Sequence, residues 1–319
     1  MHSFSKSHSM PHPEVRPGRA PLVYIVVLNY MGAKLTVDCV SSVLRIAYPN
    51  FRVVVVDNAS PDDSVAILRQ TYTDPRVEIL ANGSNEGYAG GNNRGIERAL
   101  SGGAKYILVL NNDTIADTGC LTSLVEAMES DPRLGIAGCP ILDLLASRDS
   151  PVTFFGNRIS LFTGSVTPMT GGADWTEPHE VDAVCGAAIF LRKDMIDRVG
   201  MFDSRFFLTW EETDLCYRAR RAGYKVCAVP GPGITHLRSQ TLSGVRPLGL
   251  FCDTRNRAWF VRRHGRLKHR IVYNLFHFGY FYPRIILGRL LRREFELVSP
   301  ILRGIWEGHW RHLEPLRIQ

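Results

Sequence analysis

Three short apolar runs constrain this chain most: LVYIVVLNY from Leu22 to Tyr30, FRVVVVDNAS from Phe51 to Ser60, and YILVL from Tyr106 to Leu110. Each is too short for a buried helix and stops abruptly at polar residues: Asn29, then Asp57 with Asn58, then Asn111, Asn112 and Asp113. An unbroken apolar run of this length is a strand covered on both faces, as in parallel sheets flanked by helices. Between these runs, Val37, Val40, Val43 and Leu44 recur at helical spacing within Thr36 to Ile46, ahead of Pro49. Asp62 and Asp63 stand where a helix through Leu68 and Gln70 would begin. Arg76 to Leu80 reads as a further strand, Asn82 to Gly95 as a Gly- and Asn-rich loop, and about Asn92 to Leu100 as a helix. This alternation predicts an α/β fold with a Rossmann-like, mostly parallel sheet and right-handed crossovers. Ligands of such sheets bind outside the carboxyl ends of the strands, where the polar residues of this chain collect.

Beyond Asp131-Pro132 the pattern loosens into apolar stretches at Gly135 to Leu145, Val181 to Leu191 and Lys225 to Val229. Glu211 to Ala222 has a helical pattern with a Gly223 stop, and Pro230 to Gly233 is a turn leading to His236. No repeat is visible. Residues 1–20, rich in Ser, His and Pro, read as a flexible tail, 21–246 as one catalytic domain, and 247–319 as a helical, basic extension.

The net charge of +7 is concentrated between Arg255 and Arg293. Such a block attracts nucleic acid, an anionic leaflet or a phosphorylated acceptor. The neighbouring run IVYNLFHFGYFYP falls short of the roughly 20 residues that span a bilayer. It reads as a core helix or as an aromatic face resting on a membrane. The seven cysteines are scattered and never form Cys-x-x-Cys, which speaks for reduced thiols in a cytoplasm and against a structural zinc site.

Several polar groups have both a chemical and a structural explanation. Asp57, at a strand tip, would accept hydrogen bonds from a ribose or base, or merely cap a turn. The NEGYAGGNNRG segment, Asn85 to Gly95, offers amides to a diphosphate, but its spacing is neither that of a dinucleotide site nor that of a phosphate loop. Asp113 suits a hard cation whose shell diphosphate oxygens complete, or else a turn. Glu211, Glu212 and Asp214 open a helix, where carboxylates are favoured electrostatically. The apolar RFFLTW before them would also desolvate a carboxylate and raise its pKa, as a general base requires.

Together, VVLNY, VVVDNAS, SNEGYAGGNNRG, VLNNDT, VCGAAIFLRKD, FFLTWEETDLCYRARRAGY, THLRSQT and TRNRAWFVRRHG resemble the family 2 glycosyltransferases of the GT-A fold. The likeness is to their rhamnosyltransferase-like branch and covers Val23 to about Gly265. It implies that Asn29 and Asp57 hold a nucleoside, with Asn85, Gly87, Gly91, Arg94 and Asn112 around the donor. It further implies that Asp113 and His236 bind Mn²⁺ or Mg²⁺, that Gly186, Ala187 and Trp210 line the sugar or acceptor pocket, and that Glu212 is the base, with Glu211 and Asp214 as alternatives. Two positions depart from the family pattern: Asn111 replaces the first acid of its Asp-x-Asp motif, and Glu212 is one methylene longer than the Asp often found there.

The implied reaction is an inverting single displacement that moves a sugar, rhamnose from a dTDP donor or a UDP-linked hexose, to a cell-surface glycan or lipid-linked acceptor. The setting it implies is cytoplasmic, peripheral at the inner face of the cell membrane, with the basic extension facing anionic lipid and no nucleic-acid partner. Two rivals stand beside it. A sugar nucleotidyltransferase needs a Gly-rich loop with Arg or Lys after the first strand, where this chain has LNYMGAK. A catalytically degenerate nucleotide-sugar-binding subunit of a synthase accommodates Asn111.

Overall fold

The computed structural model describes residues 20–143, 152–170, 175–237 and 246–316. The expectation for the N-terminal tail lies outside them, apart from Ala20. Eight strands form the main sheet: β1 (Val23–Asn29), β2 (Phe51–Asp57), β3 (Val77–Ala81), β4 (Tyr106–Asn111), β6 (Leu134–Gly138), β10 (His179–Glu180), β11 (Ala188–Arg192) and β12 (Lys225–Ala228). Their order is β10-β12-β6-β11-β4-β1-β2-β3. β1 to β4 run parallel, as do β6 and β12, while β11 runs antiparallel between β4 and β6. The fold is of the GT-A type, α/β with a mostly parallel sheet and a helical C-terminal region.

Side-chain alternation along the strands builds two cores. Val23, Ile25, Val27, Val53 and Val55 face α1 (Ala33–Val43) and α4 (Cys120–Ser130). Tyr24, Val26, Val54 and Val56 face α3 (Gly87–Ser101), and the same layer continues under α5 (Lys193–Val199) and α6 (Glu211–Arg221). The crossover α2 (Ser64–Thr71) completes the parallel half.

Two features differ from the sequence reading. The Gly- and Asn-rich segment is helical from Gly87 onward, not a loop as far as Asn92. Its glycines serve packing: a side-chain carbon on Gly91 would lie 2.6 Å from Leu28 Cδ1, and one on Gly95 would lie 2.3 Å from Val26 Cγ1. The second difference is a five-stranded sheet, ordered β5 (Thr114–Ala116), β13 (Ile234–His236), β7 (Ile141–Asp143), β8 (Val152–Ser160) and β9 (Ser165–Thr170). Three of its strands have only three residues, too few to show a period.

The C-terminal region is helical: α7 (Arg246–His264), α8 (Leu267–Phe276), a π-helical turn at His277–Phe281, α9 (Tyr282–Leu291) and α10 (Val298–Trp310). No helix among the described residues is long and apolar enough to cross a membrane.

Alanine inside a helix is ordinarily better than glycine by about 0.5–1 kcal/mol. At Gly95 the new methyl would meet two fully buried valines, Val26 and Val56, and overpacking costs about 1–3 kcal/mol. Gly95→Ala is therefore expected to lower the urea midpoint of unfolding, and an unchanged or higher midpoint would refute this packing account.

Candidate active site

Strand register assembles the floor of the site. Asn29 pairs with Asp57 across β1 and β2, and Leu28 with Asn111 across β1 and β4, so three polar strand tips end within one residue of each other. Asn29 Nδ2 donates to Asp57 Oδ2 at 2.7 Å, Thr36 Oγ1 to Asn29 Oδ1 at 2.7 Å, and Asn112 Nδ2 to Thr36 Oγ1 at 3.1 Å. Ser60 completes the chain, donating its hydroxyl to Asp57 Oδ2 and its backbone N–H to Oδ1. Asn29 and Asp57 are thus buried and partnered by protein, bracing the floor and presenting almost no surface to a ligand.

Asn58 is the second hub. Its amide donates to Asn85 Oδ1 at 2.8 Å and to the Gly87 carbonyl, while its oxygen accepts from Asn82 and from the Glu86 N–H. Gly87 has φ of +72°, and a side chain there would collide with Phe207. Arg94, half exposed, pairs with Glu86 at 2.8 Å, and Gly91 is buried against β1. Helix packing and an ion pair therefore account for Gly91 and Arg94.

The antiparallel β5–β13 ladder sets His236 opposite Thr114 and so beside Asp113. His236 Nε2 lies 3.1 Å from Asp113 Oδ1, and Asn111 Oδ1 is buried without a hydrogen-bond partner. A carboxylate and an imidazole within hydrogen-bond range form a sparse donor set, which fits a divalent cation whose shell a ligand's oxygens complete. Among the described residues no group of three His, Cys, Asp or Glu side chains could hold a metal alone.

The acidic cluster begins α6 after a backbone segment with φ of +62° at Phe207, +65° at Thr209 and +75° at Trp210. Asn256 on α7 holds this segment, its amide donating to the carbonyls of Phe206, Leu208 and Thr209 at 2.8, 2.9 and 2.8 Å. Arg255 Nη2 donates to the carbonyls of Arg205 and Phe206. Trp210 is buried, its indole N–H donating to Asp253 Oδ1 at 2.9 Å, so it belongs to the core and not to the acceptor-pocket wall expected from the sequence.

The three acids diverge. Glu211 is buried, and burial first, the neighbouring Glu212 charge second, push its pKa well above the carboxylate range. Glu212 is partly exposed, and desolvation raises it too. Asp214 is fully buried, but the His264 hydrogen bond and the Arg218 and Arg263 charges outweigh burial and hold it low. With Oδ2 at 2.6 Å from Arg218 and Oδ1 at 2.7 Å from His264, Asp214 is an ion-pair anchor, and the expectation that it could serve as base is corrected.

The Gly186–Ala187 turn joins the two acidic regions. The Asn111 N–H donates to the Ala187 carbonyl at 3.0 Å, and a side-chain carbon on Gly186 would come 3.4 Å from Glu212 Cγ. Tyr88 Oη donates to the Gly186 carbonyl at 2.8 Å. Burial raises the Tyr88 pKa, with Glu211, Glu212 and Asp113 adding to the effect. As parts of the site, Tyr88, Asn58, Arg255 and Asn256 escaped the sequence reading. The TRNRAWFVRRHG stretch was the one available signal for the last two.

Residues 23–198 match the family described as "Glycosyl transferase family 2". The chain is 25% identical over 305 residues to the low-salt glycan biosynthesis hexosyltransferase Agl10 of Haloferax volcanii, covering 89% of this chain and 90% of that one. It is 28% identical over 212 residues to the N-acetylglucosaminyl-diphospho-decaprenol L-rhamnosyltransferase of Mycobacterium tuberculosis, covering 59% and 67%. Among solved structures, the mannosyltransferase PcManGT of Pyrobaculum calidifontis in complex with GDP-Man and Mn²⁺ shares the fold, with a TM-score of 0.54 at 14% identity over 92% of this chain and 88% of that one.

Two outcomes are expected. Asn256→Ala leaves the Leu208 and Thr209 carbonyls without their donor, while Phe206 keeps that of Arg255, and should cost about 2–4 kcal/mol in denaturant unfolding, at about 1–3 kcal/mol per stranded part-buried group with partial rescue by water. For Glu211, the folded chain keeps a proton that the unfolded chain releases above about pH 4.3, so its burial weakens the fold as pH rises toward the raised pKa. Glu211→Gln should consequently raise the melting temperature at pH 8 and change it little at pH 4. The same gain at both pH values would disprove the assignment.

Proposed function

The chain belongs to glycosyl transferase family 2, and on that premise we propose that it moves a sugar, rhamnose or a hexose, from a dTDP- or UDP-linked donor to a hydroxyl of a growing glycan or lipid-linked acceptor, inverting the anomeric centre. The observation that carries this reading is the pairing of Asp113 with His236 on one side of the Gly186–Ala187 turn and a partly exposed, desolvated Glu212 on the other. The rhamnosyl- and hexosyltransferase relatives support the sugar class, and the same relatives support a glycan or lipid-linked acceptor.

Glu212 takes the acceptor hydroxyl proton as the new bond from that oxygen to the anomeric carbon forms and the bond to the diphosphate oxygen breaks. One displacement inverts the centre and needs no protein nucleophile. Glu211, buried and with its pKa pushed well up, keeps its proton, so the negative charge of the pair falls on Glu212. Asn112 and Asp113 face the donor diphosphate, above the floor of Asn29 and Asp57. Asp113 and His236 would hold Mn²⁺ or Mg²⁺ together with diphosphate oxygens, and the ion would neutralise charge on the leaving group. A lipid-linked acceptor would set the enzyme at the inner face of a cell membrane.

Glu212→Gln and Asp113→Ala are each expected to lower sugar transfer by at least about 100-fold with the melting profile retained. The assay is transfer from a panel of nucleotide sugars with Mn²⁺, after thermal-shift screening has ranked the donors. Transfer at the unsubstituted rate by either variant would refute the base role of Glu212 or the metal-binding role of Asp113.

A further inference from the structure

The C-terminal helices carry an apolar surface that the fold does not bury. Among the described residues, thirteen of the seventeen large hydrophobic side chains left exposed lie between Leu267 and Trp310. Their spacing is helical. Leu267, Ile271, Leu275 and Phe278 recur four, four and three residues apart, and Trp306 and Trp310 lie one turn apart on α10. The two stripes meet, for the Phe278 ring is 5.9 Å from that of Trp310, which is 5.4 Å from that of Trp306. Both tryptophans are more than half exposed. These helices turn an apolar face outward, the reverse of what a helix packed on a soluble core does.

Charge identifies what covers this face. Residues 247–319 contain fourteen Lys and Arg against five Asp and Glu, a net of +9 in a chain whose total is +7. Lys268, Arg270, Arg284 and Arg303 are interleaved with the apolar stripes. A second copy of the same surface would bring like charges together, whereas an anionic bilayer offers headgroups to the cations and a hydrocarbon boundary to the rings. Tryptophan and tyrosine favour that boundary, and the helices are too short and too charged to cross it.

We propose that the joined face of α8, the π-helical turn and α10 is a membrane-docking surface that lies in the interface of an anionic bilayer through Leu267, Ile271, Leu275, Phe278, Trp306 and Trp310. The surface sits one helix away from the acidic pair. Gly304 and Gly308 bring α10 so close to α7 that a side chain on either would lie 2.8 Å from the Phe251 carbonyl or 2.5 Å from that of Arg255. On α7, Asn256 holds the segment leading to Glu211 and Glu212. This deepens the lipid-linked-acceptor reading by fixing which side of the enzyme meets the lipid.

The test is flotation of the full chain with vesicles of phosphatidylcholine alone or with about one-third phosphatidylglycerol, with tryptophan emission recorded in parallel. Binding is expected only to the anionic vesicles, with a blue shift and loss at high salt. Trp306→Ser combined with Trp310→Ser should weaken it at least about tenfold. Because both rings are exposed, the variant should fold and should transfer sugar to a lipid-free acceptor at the unsubstituted rate. The proposal is overturned if the unsubstituted chain fails to float with anionic vesicles, if the double variant floats equally well, or if sedimentation shows a dimer that the substitutions dissolve while vesicles are ignored. Failure to transfer sugar from any donor, with vesicle binding intact, would count against the enzymatic reading alone.

Discussion

The position of the acidic pair depends on four residues, Phe207 to Trp210, three of which have left-handed backbone dihedrals that side chains other than glycine avoid. Such conformations cost about 1–3 kcal/mol each and persist only where surroundings impose them. Here the surroundings come from two sides. The N–H of Tyr88 in α3 donates to the Phe207 carbonyl at 2.6 Å, and Asn256 in α7 collects the carbonyls on either side. The segment therefore ties the helix that follows β3 to the helix that follows the second sheet, and α6 starts where that tie ends. A loop free to relax would let Glu212 move away from Gly186.

The same few residues sort three carboxylates into different jobs. Glu211 and Glu212 are pushed up by desolvation. Asp214, one turn further on, meets Arg218, Arg263 and His264 and stays charged. The charged Asp214 in turn anchors α6 to α7 through His264, so the group least able to take a proton stabilises the scaffold that holds the groups able to do so.

Sequence reasoning reached the parts of this arrangement that are local. The strand tips at Asn29, Asp57 and Asn111, the start of α6 at Glu211 and the turn before His236 follow from short patterns that hold wherever they occur. Pairwise contacts across the fold were out of reach. The start of α3 was misread because glycine signals a loop locally, whereas Gly91 and Gly95 exist to let a helix approach β1. The resemblance implied a pocket role for Trp210, and nothing in RFFLTW tells which aromatic ring faces inward. Asn256 looked like any polar helix residue, since its three partners lie 47 to 50 positions earlier.

The boundary expected after residue 246 follows composition, yet composition does not separate what the structure joins. α7 carries some of the basic residues that make the extension look like an appendage, and on its inner side Arg255, Asn256 and His264 bind the backbone and the carboxylate around the acidic pair. Its outer neighbours α8 and α10 carry the exposed rings. One helix thus has a site-facing side that must stay in place and a membrane-facing neighbour that can vary. Removing the whole extension would release Phe207 to Trp210 and expose Asp214, so lost activity after truncation would say nothing about membranes. Only substitutions on the outer face separate the two roles.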